Sequence, residues 1–182
     1  MADQGAQGLL SPFLRRQRMA AARPWLQGSV FDFGCGSGAL AAGLPPGAYC
    51  GHDADPAVLG LAQARHPQHR FVAEVPASGD WDTVACLAVI EHCAEPAAFL
   101  SRLAALAREG GRIVLTTPHP AYEIFHDAGA RIGLFSHDAS EEHEVLLDRG
   151  ALQALADAAG LAMTHYRRFL FGANQLCVLQ RT

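Results

Sequence analysis

The stretch "VFDFGCGSGAL", residues 30 to 40, decides the fold of this chain. A short apolar run is followed at once by glycines at alternate positions, Gly34, Gly36 and Gly38. The run reads as a buried strand, and the glycines read as a turn in which the backbone must be bare. Such a turn at the end of a first strand, opening into a helical segment, is where an open α/β sheet lets a ligand touch main-chain N–H groups. Asp32, just before the turn, can accept hydrogen bonds from a cationic or hydroxyl-bearing part of that ligand.

Working outward, "SVFDF", "AYCGH", "HRFVA", "DTVACLA" and "GRIVLTT" are short apolar runs. Helix-like stretches such as "DPAVLGLAQARH" and "EPAAFLSRLAALAREG" separate them. This alternation implies crossovers and a parallel sheet, and strands with no polar face imply helices on both sides. The carboxy-terminal part differs: "DRGALQALADAAG" reads as an amphipathic helix ending at Gly160. "MTHYRRFLFGANQLCVLQ" then reads as two strands joined at Gly-Ala-Asn, a hairpin that would close the sheet with an antiparallel edge. At the other end, "SPFLRRQRMAAARPWL" predicts a helix from about Pro12 to Ala22, with Ser11 as cap.

At 182 residues and 50% apolar content, the chain suits one domain, residues 1–182, with residues 1–24 as an amino-terminal helix or flap. The 14 basic and 18 acidic residues give a net charge of −4, so no basic stripe for a nucleic-acid backbone is expected. Five cysteines without a C-x-x-C pair point to a reducing, cytoplasmic setting. No run approaches the ~18 apolar residues of a membrane span. Oligomeric state is left open.

The second strand ends in "GHDADP", and a carboxylate there, Asp53 with Ala54 beside it, is placed to receive the two hydroxyls of a ribose. The glycine turn and the strand-end acid together point to a ribose-bearing ligand. Their spacing is G-x-G-x-G rather than the G-x-G-x-x-G of dinucleotide sites, although an NAD-dependent dehydrogenase is the rival reading within this fold.

The ordered motifs "VFDFGCGSG", "GHDADP", "DWDTVACLAVIEHCAEP" and "EGGRIVLTTPHP" resemble those of class I S-adenosylmethionine-dependent methyltransferases. The resemblance spans roughly residues 10 to 180 and is similar to the small-molecule group that includes the ubiquinone-biosynthesis type. It implies a Rossmann-like, doubly wound α/β fold with a seven-stranded, mostly parallel sheet and an antiparallel last strand. It also implies S-adenosylmethionine as cofactor. Asp32, Gly34, Cys35, Gly36 and Gly38 would wrap its methionine part, Asp53 would bind its ribose, and Leu87 and Ala88 would line it through their backbone. The chain departs from the family after the third strand, where "RFVAEVPASGDWD" leaves Glu74 as the candidate adenine contact. "LAVIEH" stands where base-amino methyltransferases carry a Pro-Pro-aromatic signature, which argues against a nucleic-acid substrate.

Methyl transfer is an in-line displacement in which the nucleophile belongs to the acceptor, so alignment and exclusion of water are the protein's main tasks. A base helps an oxygen or nitrogen acceptor. His119, just past the fifth strand, and His143, in an insertion at residues 118–147 where related enzymes build a substrate lid, are the candidates. The same insertion holds His126, His137, Asp138, Glu141 and Glu142; a carboxylate-rich helix start explains these letters, and no metal is assigned. Solvated loop polarity is the plain alternative for His119 and His126. Glu91 and His92 read as helix-capping residues. Cys35 is expected to be structural rather than nucleophilic. Arg15, Arg16, Arg18 and Arg23 read as a solvated helix face, with contact to an anionic substrate or carrier as the sharper alternative; the segment "PFLRRQRMAAARPWL" is alternatively a flap over the cofactor. A small-molecule methyl acceptor is the expected partner, with a non-catalytic cofactor-binding or scaffold protein as the rival of another class.

Overall fold

The expected alternation is present in the computed structural model, which describes residues 11–120 and 146–181. Helix α1 (Ser11–Ala22) leads into strand β1 (Val30–Phe33), the glycine turn, and β2 (Tyr49–His52). Helix α2 (Pro56–Arg65) and β3 (Arg70–Val72) follow, then β4 (Trp81–Leu87), α3 (Pro96–Leu106) and β5 (Ala107–Pro118). The described chain ends with α4 (Arg149–Ala158), β6 (Leu161–Phe169) and β7 (Asn174–Arg181). The strands form one seven-stranded sheet in the order β3-β2-β1-β4-β5-β7-β6.

Local signals explain the helix starts. Asp55 accepts a hydrogen bond from the Ala57 amide at 2.9 Å, Pro56 follows it, and Asp148 accepts from the Ala151 amide at 2.8 Å. Both satisfy amides that the first helical turn cannot pair. The core lies against both faces. One side packs Phe31, Val84 and Leu115 against Leu103 of α3 and Leu152 of α4; the other packs Val30, Tyr49 and Ala85 against Leu40 and Leu59.

Three expectations change. The helical pattern of "EPAAFLSRLAALAREG" stops at Leu106, and Ala107 already pairs with Trp81 in a long, bulged β5. The bulge needs bare backbone: Gly110 has φ of 70°, and a Cβ on Gly111 would lie 2.8 Å from the Arg108 carbonyl and 2.9 Å from that of Trp81. The antiparallel last strand is present, but it is not the edge: β7 inserts between β5 and β6, antiparallel to both, and β6 is the outer strand. A hairpin predicts that two strands pair, not which of them meets the sheet. Finally, Glu91 is not a cap. It is 2% exposed and accepts a hydrogen bond from the Thr117 hydroxyl at 3.0 Å, whereas α3 starts at Pro96 without a side-chain cap.

The parallel order reverses at β1, which has β2 on one side and β4 on the other. At the amino-terminal end of β4, Asp82 ties that strand to the start of β1 and to β5. It accepts from the Ser29 amide and hydroxyl and, at 2.6 Å, from Arg108, contacts that hold its carboxyl at about 2. The opposite, carboxyl ends of β1 and β4 are left for a ligand.

Candidate functional site

A cavity of about 610 Å³ opens at that switch point. Its floor is the turn after β1, with Asp32, Gly34, Cys35, Gly36 and Ser37; Asp53 and Asp55 border it after β2, and Leu87 and Ala88 after β4. Arg15, Arg18 and Met19 of α1 line its roof, together with Pro12 and Leu14. The i, i+3, i+4 spacing of the first three places them on one helical face, a spacing that a solvated face shares, so the packing of α1 over the turn is what tells the two apart.

The turn is tightly stitched. The amides of Gly34 and Cys35 both donate to the His52 carbonyl at 2.8 Å, which anchors the end of β1 to the end of β2. Gly34, Gly36 and Gly38 all have positive φ, between 54° and 76°. The Gly36 amide donates to Oδ2 of Asp53 at 2.9 Å, and the Asp55 amide donates to Oδ1 at 3.1 Å. Each carboxylate oxygen has a second lone pair, so Asp53 can hold the turn and still accept from two ligand hydroxyls.

Asp32 is 3% exposed, and the buried Tyr49 hydroxyl donates to its Oδ2 at 2.6 Å. Burial raises the Asp32 carboxyl to about 7, against the opposing pull of the Tyr49 bond and the Arg15 charge. Burial likewise raises the Cys35 thiol, and the nearby Asp32 and Asp53 charges raise it further, so Cys35 is a poor nucleophile. All five cysteines are free. Ala88 lines the cavity with φ of 60°, rare for a residue with a side chain, and its amide is held by the Thr116 carbonyl at 2.8 Å.

The Asp32 environment sets a pH dependence. Its folded value of about 7 stands above the ordinary 3.8, so its contribution to stability is fully present below pH 4 and is lost as pH rises through 7. Thermal melts of wild type and Asp32→Asn at pH 5 and pH 8 are expected to show the variant gaining on wild type at the higher pH. Melting profiles that stay parallel would remove the buried carboxyl as the cause.

The other sequence-derived residues fall as follows. Glu74 and Ala54 are exposed and are not among the residues lining the cavity. Glu74 lies in the loop beyond β3, which ends at Val72. His119 follows β5, half-buried and outside the cavity lining, with its amide held by the Ala173 carbonyl at 2.9 Å. Burial first, and then the Arg168 charge, lowers its pKa. His126, His137, His143 and their acidic neighbours lie outside the described residues, as does most of the expected lid. Among the described residues no group of side chains could hold a metal ion, and no helix is long and apolar enough to cross a membrane. Sequence reasoning missed the lining residues Ser37 and Asp55, and behind the lining it missed Tyr49, because an aromatic residue in a strand reads as core.

The cavity volume is within the range of pockets for ligands of drug size. Asp32 offers a carboxylate to a cationic group, Asp53 offers acceptors to a diol, and the bare turn admits a bulky ligand between them. This donor set fits a nucleoside that carries an amino-acid chain.

Over residues 6–166 the chain matches the family described as a methyltransferase domain. It is similar to the ubiquinone biosynthesis O-methyltransferase of Aeromonas salmonicida, 27% identical over 169 residues that cover 80% of this chain and 71% of that protein. The protein of the same name from Aromatoleum aromaticum is 32% identical over 108 residues, 53% of this chain and 46% of the relative. Among solved structures, magnesium protoporphyrin IX methyltransferase from Synechocystis PCC 6803 with bound SAH aligns with a TM-score of 0.71 at 22% identity. The alignment covers 96% of this chain and 88% of that one, a likeness of fold.

Proposed function

Since this chain belongs to the methyltransferase domain family, we propose that it transfers the methyl group of S-adenosylmethionine to a small-molecule oxygen, nitrogen or carbon acceptor. The observation that carries the reading is the pair of carboxylates, Asp32 and Asp53, on either side of the glycine turn in one cavity. The O-methyltransferase names of the curated relatives favour an oxygen acceptor.

When bound, S-adenosylmethionine supplies a sulfonium methyl group open to in-line attack. Asp32 takes the ammonium of the methionine part by a charge-assisted hydrogen bond. Asp53 accepts from the ribose hydroxyls while keeping the Gly36 amide in place. Gly34 and Gly36 let main-chain atoms approach, and the Leu87–Ala88 backbone fixes the opposite wall. The face of α1 that bears Arg15, Arg18 and Met19 excludes water from the reacting atoms. His119, kept neutral at physiological pH by its surroundings, is the candidate to take the acceptor's proton, and His143 is the second candidate.

Calorimetric titration with S-adenosylmethionine, S-adenosylhomocysteine and NAD tests the cofactor. Micromolar binding of the first two without NAD is expected; NAD alone, or no binding, overturns the reading. Asp53→Ala is expected to weaken S-adenosylhomocysteine binding by about 1–3 kcal/mol, roughly 5- to 150-fold, through loss of charge-assisted bonds. Unchanged affinity would take Asp53 out of the ribose site.

A further inference from the structure

We infer that Tyr49 is a positioning residue for cofactor capture: its buried hydroxyl holds the Asp32 carboxylate in the orientation and ionised form that receives the ligand's ammonium group. The inference rests on the cofactor reading above and extends it to a residue that does not line the cavity.

The geometry is specific. Tyr49 and Val30 are partners in the parallel β1–β2 register, and Asp32 lies two residues further along β1, on the same face of the sheet as Val30. The tyrosine ring is 1% exposed and packs against the rings of His69 and Phe71, with centroids 5.5 Å and 5.8 Å away. These contacts leave the ring little freedom, so the direction of its hydroxyl is fixed. Beside Asp32 in the register is Gly51, where a Cβ would come within 2.9 Å of Cys35 and Phe71. The bare position therefore preserves the packing beneath the pair.

A buried hydroxyl needs a partner, and a buried carboxylate needs donors; here each meets the other's need. Phenylalanine at position 49 would keep the ring contacts but would leave Asp32 without a fixed donor. A bond donated to the carboxylate favours its charged form, and only that form attracts an ammonium group. Tyr49 thus opposes the burial that would otherwise neutralise Asp32. The other groups facing Asp32 are Arg15 from α1, which favours its charge, and Asp53, which disfavours it; the Cys35 and Cys86 thiols stand close by from the turn and from β4.

The test is a titration of wild type and Tyr49→Phe with S-adenosylhomocysteine from pH 6 to pH 8.5, alongside carbon NMR of the Asp32 carboxyl in the ligand-free proteins. Phenylalanine keeps the ring packing. The midpoint of Asp32 ionisation is expected to rise by about one pH unit in the variant, so affinity falls about fivefold at pH 7 and converges toward wild type at pH 8.5. Asp32→Asn should bind weakly at every pH and lose the pH dependence. An Asp32 midpoint that does not move in Tyr49→Phe, or an affinity loss equal at all pH values, overturns the inference and leaves Tyr49 a packing residue. Wild type that fails to bind at any pH overturns the cofactor reading and this inference with it.

Discussion

Gly34→Ala is expected to lower the unfolding free energy by about 2–4 kcal/mol, and to weaken S-adenosylhomocysteine binding at least about tenfold. Two costs add. Gly34 has φ of 76°, and an L-residue with a Cβ pays roughly 1–2 kcal/mol there. The new methyl would also stand 2.6 Å from Cγ2 of Val89, a distance that no relaxed structure tolerates, so the Val89 side chain must leave its rotamer or the loop after β4 and the turn must move apart. Both border the cavity, so the displacement reaches the ligand. Gly47→Ala separates the two costs: Gly47 has φ of 77°, but nothing lies within 4 Å of its Cβ direction. Chemical denaturation and calorimetry of both variants should show Gly47→Ala paying the backbone cost alone and binding normally. A second change, Val89→Ala in the Gly34→Ala background, should restore part of the stability, as expected for neighbours in contact. If Gly34→Ala behaves like Gly47→Ala in both measurements, the steric account of the turn is wrong.

This turn was also the most legible part of the sequence, for a physical reason. Strand, bare backbone and a single 3-10 turn (Ala39–Ala41) follow one another within twelve residues, so each signal is local. Asp53 was legible because a strand end is marked by composition as well as by periodicity. The features that escaped depend on distant parts of the chain. Glu91 reads as a cap from its neighbours alone; its burial comes from Thr117, on a strand 26 residues away. Tyr49 reads as core, and it is core; its second role appears only when β1 and β2 are aligned and its hydroxyl meets Asp32. Glu74 was assigned by a family pattern that this chain interrupts, and the loop after β3 leaves it in solvent. The insertion of β7 between β5 and β6 is a choice among pairings that apolar runs do not distinguish, since either strand of a hairpin can meet the sheet. Side-chain satisfaction at the carboxyl end of β5 makes that choice costly to reverse, and one residue there carries much of it.

Gln175→Leu is expected to be among the most destabilising single changes in the described structure, costing about 3–5 kcal/mol and lowering the melting temperature by on the order of 10 °C. Gln175 is fully buried at the start of β7. Its amide donates to the Pro118 carbonyl at 2.9 Å and to the Leu147 carbonyl, and its side-chain carbonyl accepts from the Tyr166 hydroxyl at 3.0 Å. One side chain thus joins the end of β5, the segment before α4, and β6. Leucine fills a similar volume but leaves two carbonyls and a hydroxyl without their partner, each costing about 1–3 kcal/mol if water cannot reach it. Two residues before Gln175, the Ala173 carbonyl accepts from the His119 amide. Loosening the strand start should therefore blur the position of His119; it reaches the cavity only at the roof, where Arg18 donates to the Asn174 side chain at 2.9 Å, and leaves the Asp32–Asp53 floor in place. Thermal melting should show the full loss in stability, whereas S-adenosylhomocysteine affinity, measured well below the melting point, should change less than about threefold, since Gln175 and the cavity share no side-chain partner. Loss of affinity in proportion to the loss of stability would mean that the two ends of the sheet unfold as one unit with the site, and that the carboxyl end of β5 supports cofactor binding as well as the strand order.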